Sequence, residues 1–328
     1  MEREAATRIE RGVIAVGGVD GGVGGVRVAE RPLRIGFPKG RMQEGVLSLM
    51  ADAGMKVTVS SRGYRPSVAY PGVEAKLLKP QNIVEMLEAG TRDLGFAGAD
   101  WVAELAASPN PSRAGELVEV LDTGLDKVNL VAAMPRALVS RGADGTTPVL
   151  PDRPLVVIAE YQQLAARWIA KRGKGDRFVR SYGATEVFPP EDGDVIIDVA
   201  ATGATLDANG LEVVETVMKS STRLYASRPA WEDAGKRARI EDIAMLLRSV
   251  LEARKRVMLE VNVPESRLED VVSVLPCMRR PTVSRLTGDD GYAVKAAVPR
   301  EGLATLIPLI KAKGGTDVVI SPVGQVVP

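Results

Sequence analysis

Asp194-Val195-Ile196-Ile197-Asp198-Val199-Ala200-Ala201-Thr202-Gly203-Ala204-Thr205-Leu206 carries a strand into a loop. Val195-Ile196-Ile197 is a short unbroken apolar run, the pattern of a strand covered on both faces. Gly203 and the alanines around it let the backbone come close to an anion. Successive amide N–H groups there would point at one phosphate, and the Thr202 and Thr205 hydroxyls would add donors. Asp194 and Asp198 are four apart, so on a strand they share a face. A carboxylate near the strand end suits ribose hydroxyls or a hydrated magnesium ion. The same pattern equally describes an ordinary strand and turn with surface aspartates. It is not a Walker A loop, because no Gly-Lys-Ser/Thr follows.

The strand–helix rhythm extends outward from this segment. Leu33 to Phe37 reads as a strand, followed by a Pro38-Lys39-Gly40-Arg41 turn and a helix carrying Val46, Leu47 and Met50. Pro80 opens a second helix with Ile83, Val84 and Leu87 on one face, and Gly90 ends it. Asp93 to Gly98, Leu130 to Ala133 and Leu155 to Ala159 are further strands, and Tyr161 to about Lys171 is a helix. This alternation predicts an α/β architecture. A long helix over roughly 232–254 shows an apolar stripe of Ile240, Ile243, Ala244, Leu247, Val250 and Leu251. After it the order becomes β-α-β-β-α-β: strands at 256–263, 282–286, 292–298 and 318–320, with helices at 264–275 and around 303–310. That is the split βαβ pattern of a ferredoxin-like domain. Residues 1–31 form a Gly/Val-rich leader. Arg27 stands where a dinucleotide fingerprint needs its third glycine, so the leader reads as a flexible tail.

Composition narrows the chemistry. The chain has 328 residues, enough for two or three domains, and 45% apolar with 26% charged residues mark a globular protein. The formal net charge of +1 gives no basic excess for nucleic acid. No apolar run reaches membrane-spanning length. Cys277 is the single cysteine, which excludes an intrachain disulfide and fits a reducing cytoplasm. Histidine is absent, which excludes imidazole bases, His-ligated zinc and a Ser-His-Asp triad. Trp101, Trp168, Trp231, Met245 and Met258 read as packing residues.

Thr202-Gly203-Ala204-Thr205-Leu206-Asp207-Ala208-Asn209-Gly210-Leu211, behind Asp194 to Val199, closely resembles the signature segment of ATP phosphoribosyltransferases. Collinear segments extend the resemblance from about residue 33 to the C-terminus. They are Lys39-Gly40-Arg41, Leu78-Lys79-Pro80-Gln81-Asn82-Ile83, Asp93 to Asp100, Gly183-Ala184-Thr185-Glu186 and Pro281-Thr282-Val283. The last belongs to a C-terminal part similar to the regulatory domain of the long form. Asn129 departs from the family, standing where an arginine is expected, and so does the Pro189-Pro190-Glu191-Asp192-Gly193 insert.

The resemblance implies two α/β lobes of periplasmic-binding-protein type, with the active site in the cleft. Lobe I would take 32–128 and 207–230, lobe II 129–206, a linking helix 231–254 and the ferredoxin-like domain 255–328. It implies that N1 of ATP attacks C1 of phosphoribosyl pyrophosphate and expels pyrophosphate, with Mg2+ entering on the substrate. Thr202, Gly203, Ala204, Thr205 and Leu206 would bind the 5′-phosphate, and Asp198, Asp194 and Glu186 the ribose or metal. Lys39, Arg41 and Arg62 would meet polyphosphate, and Gly98 and Asp100 would line the ATP side. Histidine would inhibit through the C-terminal domain, where Asn262 and Thr282 are the candidate contacts. The assembly would be a homohexamer built from dimers, or a dimer. A solute-binding protein, or an inactive regulatory paralogue of the same fold, stands as the alternative.

Overall fold

The computed structural model describes residues 31–60, 63–109, 117–288 and 290–327. The leader up to residue 30 and Arg62 lie outside them. β1 (Leu33–Pro38) leads into α1 (Met42–Asp52). A small hairpin of β2 (Val57–Thr58) and β3 (Ser67–Val68) precedes β4 (Val73–Leu78). α2 (Pro80–Glu88) starts on Pro80, whose missing N–H costs nothing in a first turn. β5 (Leu94–Gly98) runs straight into α3 (Ala99–Ala106). All five β5 residues are buried, as expected of a strand covered on both sides.

β6 (Val118–Pro135) is 18 residues long, roughly 60 Å at about 3.3 Å per residue. After a second small hairpin, β7 (Ser140–Arg141) and β8 (Pro148–Val149), come β9 (Val156–Ala159) and α4 (Gln162–Arg172). α4 ends on Gly173 at φ 64°, a left-handed position that glycine takes without strain. β10 (Arg177–Arg180), β11 (Val195–Ala200), α5 (Ala204–Ala208) and the 16-residue β12 (Leu211–Ala226) follow. α6 (Arg228–Glu232) and α7 (Ala234–Arg254) close this part, with Asp233 capping α7 by accepting from Lys236 N at 3.0 Å.

One eight-stranded sheet runs β10-β9-β11-β6-β12-β5-β1-β4. Its two ends are parallel, as βαβ units require, while β6 and β12 pair antiparallel with each other and with their neighbours. The two long strands are therefore the crossing between lobes. Leu33, Ile35, Phe37, Val46 and Phe96 form one lobe's core with Ile240, Ile243 and Leu247 of α7. Ile83, Val84 and Leu87 cover that lobe's other face. Leu130, Val157, Trp168 and Ile197 form the core of the second lobe, and Val131, Ile158, Ile196, Leu206 and Leu211 its opposite face.

Three expectations are corrected by this packing. The chain returns to the first lobe inside β12, near Ser220, rather than at 206. Leu211 to Thr216 pair with residues 131–135, Val214 and Met218 pack on the second lobe, and only Thr222 to Ala226 reach β5. Residues 207 to about 219 therefore go with lobe II. Met245 is exposed on α7, one step off the buried stripe. Met258 is half-buried, pointing away from the inward row of Val257 and Leu259.

β13 (Arg256–Pro264), α8 (Leu268–Val274), β14 (Thr282–Arg285), β15 (Gly291–Pro299), α9 (Leu303–Ala312) and β16 (Thr316–Pro322) make the last part. The helix expected from 264 begins only at Leu268, after a tight turn at Glu265–Arg267. The sheet order β14-β15-β13-β16, with every pair antiparallel, is the ferredoxin-like arrangement. Val257, Leu259, Val261 and Val263 alternate inward from β13 to meet Val271, Leu306 and Ile310 of the helices.

Candidate functional site

Apart from Asp194, the candidate segments of the large sheet lie at the C-terminal ends of strands, where open α/β sheets hold ligands. Lys39 and Arg41 follow β1, Gly98 and Asp100 straddle the end of β5, Glu160 and Tyr161 follow β9, and the Thr202–Leu206 loop follows β11. Two cavities open there. The first, 240 Å³, is lined by Glu186 and by Asp198 through Leu206. The second, 190 Å³, is lined among others by Lys39, Arg41, Gly98, Asp100, Glu160, Tyr161 and again Asp198 and Val199. Asp198 is thus the wall common to both.

In the first cavity Gly203, at φ 80°, turns the chain out of β11 and into α5. The first amides of α5 have no partner within the helix, and that of Ala204 makes only a long 3.4 Å bond to Thr202 Oγ1. Thr202 and Thr205 are exposed beside them. Leu206 is buried against Val131, Ile196 and Leu211, so its side chain anchors the loop. Asp198 accepts from the Val199 amide at 2.7 Å. Burial pushes its carboxyl above the ordinary range, against the hydrogen bonds from Val199 and Thr185, and Glu186 and Glu160 push the same way as burial. Glu186 stands on the Thr185–Val187 turn, half-buried in the same cavity.

Asp194 does not join them. It stands just before β11, at the end remote from the loop, roughly 13 Å from Asp198 at about 3.3 Å per residue. Arg153 donates to its Oδ1 at 2.7 Å and the Val156 amide to its Oδ2 at 2.8 Å. Burial alone would raise its carboxyl, but these donors hold it below the ordinary range. Even spacing put both aspartates on one face without saying that the face has two ends.

In the second cavity Asp100 is 5% exposed and already engaged. Tyr161 donates to its Oδ2 at 2.5 Å and Ser220 to its Oδ1 at 2.5 Å. It therefore ties a residue following β9 to the crossing strand β12 and shapes the cavity. Burial first, then Asp100, push the Tyr161 phenol far above its ordinary value, so it remains a donor. A Cβ on Gly98 would overlap Asp100 Oδ1, which explains a glycine there. Lys39 Nζ lies 3.5 Å from the centre of the Tyr64 ring. Arg41 is exposed, with no ion-pair partner among the described residues. Trp101 stacks on Tyr161 at 4.4 Å and lines this cavity, whereas Trp168 packs in the core and donates to Glu215 at 2.8 Å.

Asp126, Glu160, Tyr161 and Ser220 line the second cavity and were not expected from the sequence. Each lies where a strand ends or crosses between lobes, and no motif marks them. In the C-terminal domain Thr282 lines a 450 Å³ cavity with Met258, Arg279, Arg280 and Lys295. Asn262 does not line it and donates to Asp317 at 3.2 Å instead.

A glycine-turned loop at a helix start, a carboxylate wall and a second cavity lined by Lys39 and Arg41, at the strand ends of two α/β lobes, define a two-lobed α/β protein with adjoining polar cavities. The family follows from comparison with known proteins: the chain belongs to the ATP phosphoribosyltransferases. The family model of that description matches residues 79–249, and one described as HisG, C-terminal domain, matches residues 253–325. The ATP phosphoribosyltransferase of Pelotomaculum thermopropionicum is 35% identical over 297 residues, covering 90% of this chain and 99% of the relative. That of Solibacter usitatus is 35% identical over 295 residues, with 90% and 99% covered. The ATP phosphoribosyl transferase (HisG:HisZ) complex from Thermotoga maritima shares the fold with a TM-score of 0.55 at 21% identity. It covers 67% of this chain and 98% of that one.

Proposed function

We propose that this chain transfers the phosphoribosyl group of phosphoribosyl pyrophosphate to N1 of ATP, the first step of histidine biosynthesis. The observation that carries the reading is the shared wall at Asp198, where the phosphate-loop cavity meets the second cavity. The sugar, held by its 5′-phosphate on the 203–206 amides and the Thr202 and Thr205 hydroxyls, presents C1 toward the nucleotide. The N1–C1 bond forms as the C1–oxygen bond to pyrophosphate breaks. Asp198 holds ribose hydroxyls and faces the positive charge that develops on the sugar. Lys39 and Arg41 receive phosphate groups. The main contribution is holding two reactants in line and compensating charge, which needs no histidine.

Magnesium fits this donor set. Among the described residues no cluster of three or more ligating side chains exists, but Glu186 and Asp198 line one cavity. An ion that keeps its waters and uses one or two carboxylates with substrate phosphates needs no more. When bound, it would neutralise the departing pyrophosphate.

The ferredoxin-like domain serves as the histidine sensor, with Thr282 at its cavity and Asn262 at the neighbouring Asp317 contact. A homo-oligomer in the cytoplasm is the accompanying expectation. The Thermotoga complex supports association, and no helix among the described residues is long and apolar enough to cross a membrane. The transferase names of the relatives do not favour a regulatory or solute-binding paralogue. The test is pyrophosphate release from the two substrates with magnesium, with and without histidine. Release that requires both substrates and disappears in Thr205→Ala/Asp198→Ala supports the reading. No release under any condition overturns it.

A further inference from the structure

On the reading just given, we propose that Asp126 binds the ribose hydroxyls of the nucleotide substrate. β6 and β12 do not keep step where they cross between lobes. From Val128 to Asp122 the chain advances six residues, while its partner advances three, from Ser220 to Arg223. Extra residues on one strand make a bulge, and bulges beside active sites re-aim side chains. This one turns Asp126 into the second cavity.

Asp126 holds φ at 47°, a left-handed conformation that glycine would adopt at lower cost. An aspartate kept there points to a use for its side chain. The bulge is also pre-organised. Thr123 Oγ1 donates to Thr222 O at 2.5 Å, Ser221 to Asp122 at 2.8 Å, and Thr222 Oγ1 to Asp126 Oδ2 at 2.9 Å. Asp126 Oδ1 has no hydrogen-bond partner among the described residues. Asp100, by contrast, has both oxygens engaged.

Position along β6 selects the ligand group. Asp198 pairs with Val131, five residues along β6 from Asp126, and both aspartates line the second cavity. With adenine N1 held at the sugar beside Asp198, the nucleotide's own sugar extends toward Asp126, and its triphosphate toward Lys39 and Arg41. A free carboxylate oxygen accepts from neighbouring hydroxyls, whereas phosphates would be repelled.

The test is steady-state kinetics with ATP, 2′-deoxy-ATP and 3′-deoxy-ATP on wild type, Asp126→Asn and Asp126→Gly. Both replacements suit a left-handed backbone, so folding is kept. The expected result is a rise of about ten- to a hundredfold in KM for ATP in both variants, with KM for phosphoribosyl pyrophosphate unchanged. Wild type should discriminate against a deoxy analogue, and the variants should lose that discrimination. An active wild type whose variants keep KM for ATP, or shift both KM values and the melting temperature together, overturns the assignment to ribose. A wild type with no pyrophosphate release instead overturns the activity itself.

Discussion

Gly98→Ala should damage both stability and nucleotide use, through a single contact. The added Cβ stands 3.2 Å from Asp100 Cγ and overlaps Asp100 Oδ1. That oxygen cannot yield freely, because Ser220 holds it at 2.5 Å and Tyr161 holds the other oxygen at 2.5 Å. Asp100 and Tyr161 are 5% and 3% exposed, so water replaces a lost bond poorly. Hydrogen bonds to a charged group contribute about 1.5–3 kcal/mol each. Loss of one, with strain in the other, should cost about 2–4 kcal/mol, or roughly 4–8 °C in melting temperature. Gly98 and Asp100 line the second cavity, so kcat/KM for ATP should fall about tenfold or more, while phosphoribosyl pyrophosphate binding persists. Differential scanning calorimetry and initial rates measure the two effects. Ser220→Ala supplies an internal check: it should cost much less in the Gly98→Ala background than alone, because that bond is already broken. Wild-type melting with additive Ser220→Ala costs would refute the assigned geometry.

Asp198→Asn should raise the melting temperature at neutral pH while removing activity. A carboxyl whose folded value is raised favours folding when protonated, and that contribution is lost as pH rises through the folded value. The ionised group is then a net cost that asparagine removes. A variant less stable than wild type at neutral pH would count against this. Asp194→Asn should do the reverse, losing about 1 kcal/mol with its Arg153 and Val156 partners, with no change in KM for phosphoribosyl pyrophosphate. Asp93, 1% exposed, is held below the ordinary carboxylate range, because Arg34, Lys236 and the Arg34 amide together outweigh burial. Its contribution is complete above the unfolded carboxyl's range and is lost as pH falls through the depressed folded value. Asp93→Asn should therefore lower stability by about 3 kcal/mol at pH 7 and flatten the acid limb of a urea-midpoint profile.

Elements whose apolar pattern is continuous or periodic could be read from the chain alone. Val195-Ile196-Ile197 and Leu155 to Ala159 are buried strands because nothing but apolar side chains suits a sheet covered on both faces. The α7 stripe and the β-α-β-β-α-β order followed from helical spacing and from the alternation of strands and helices. The Thr202–Leu206 loop was legible because glycine and small residues mark close backbone approach. How these pieces meet depends on contacts between distant parts of the chain. Residues 118–128 and 211–226 form the crossing strands, yet bulges, half-buried Glu212 and Glu215 and exposed Lys219 blur their alternation. Sequence spacing put Asp194 and Asp198 on one face, but only the sheet shows that one faces Arg153 and the other the cavities. Asp100, Tyr161 and Ser220 are separated by 61 and 59 residues, and only the approach of two lobes through β12 joins them. A local pattern records which way a side chain faces. What it faces is set by partners that the chain brings from far along its length.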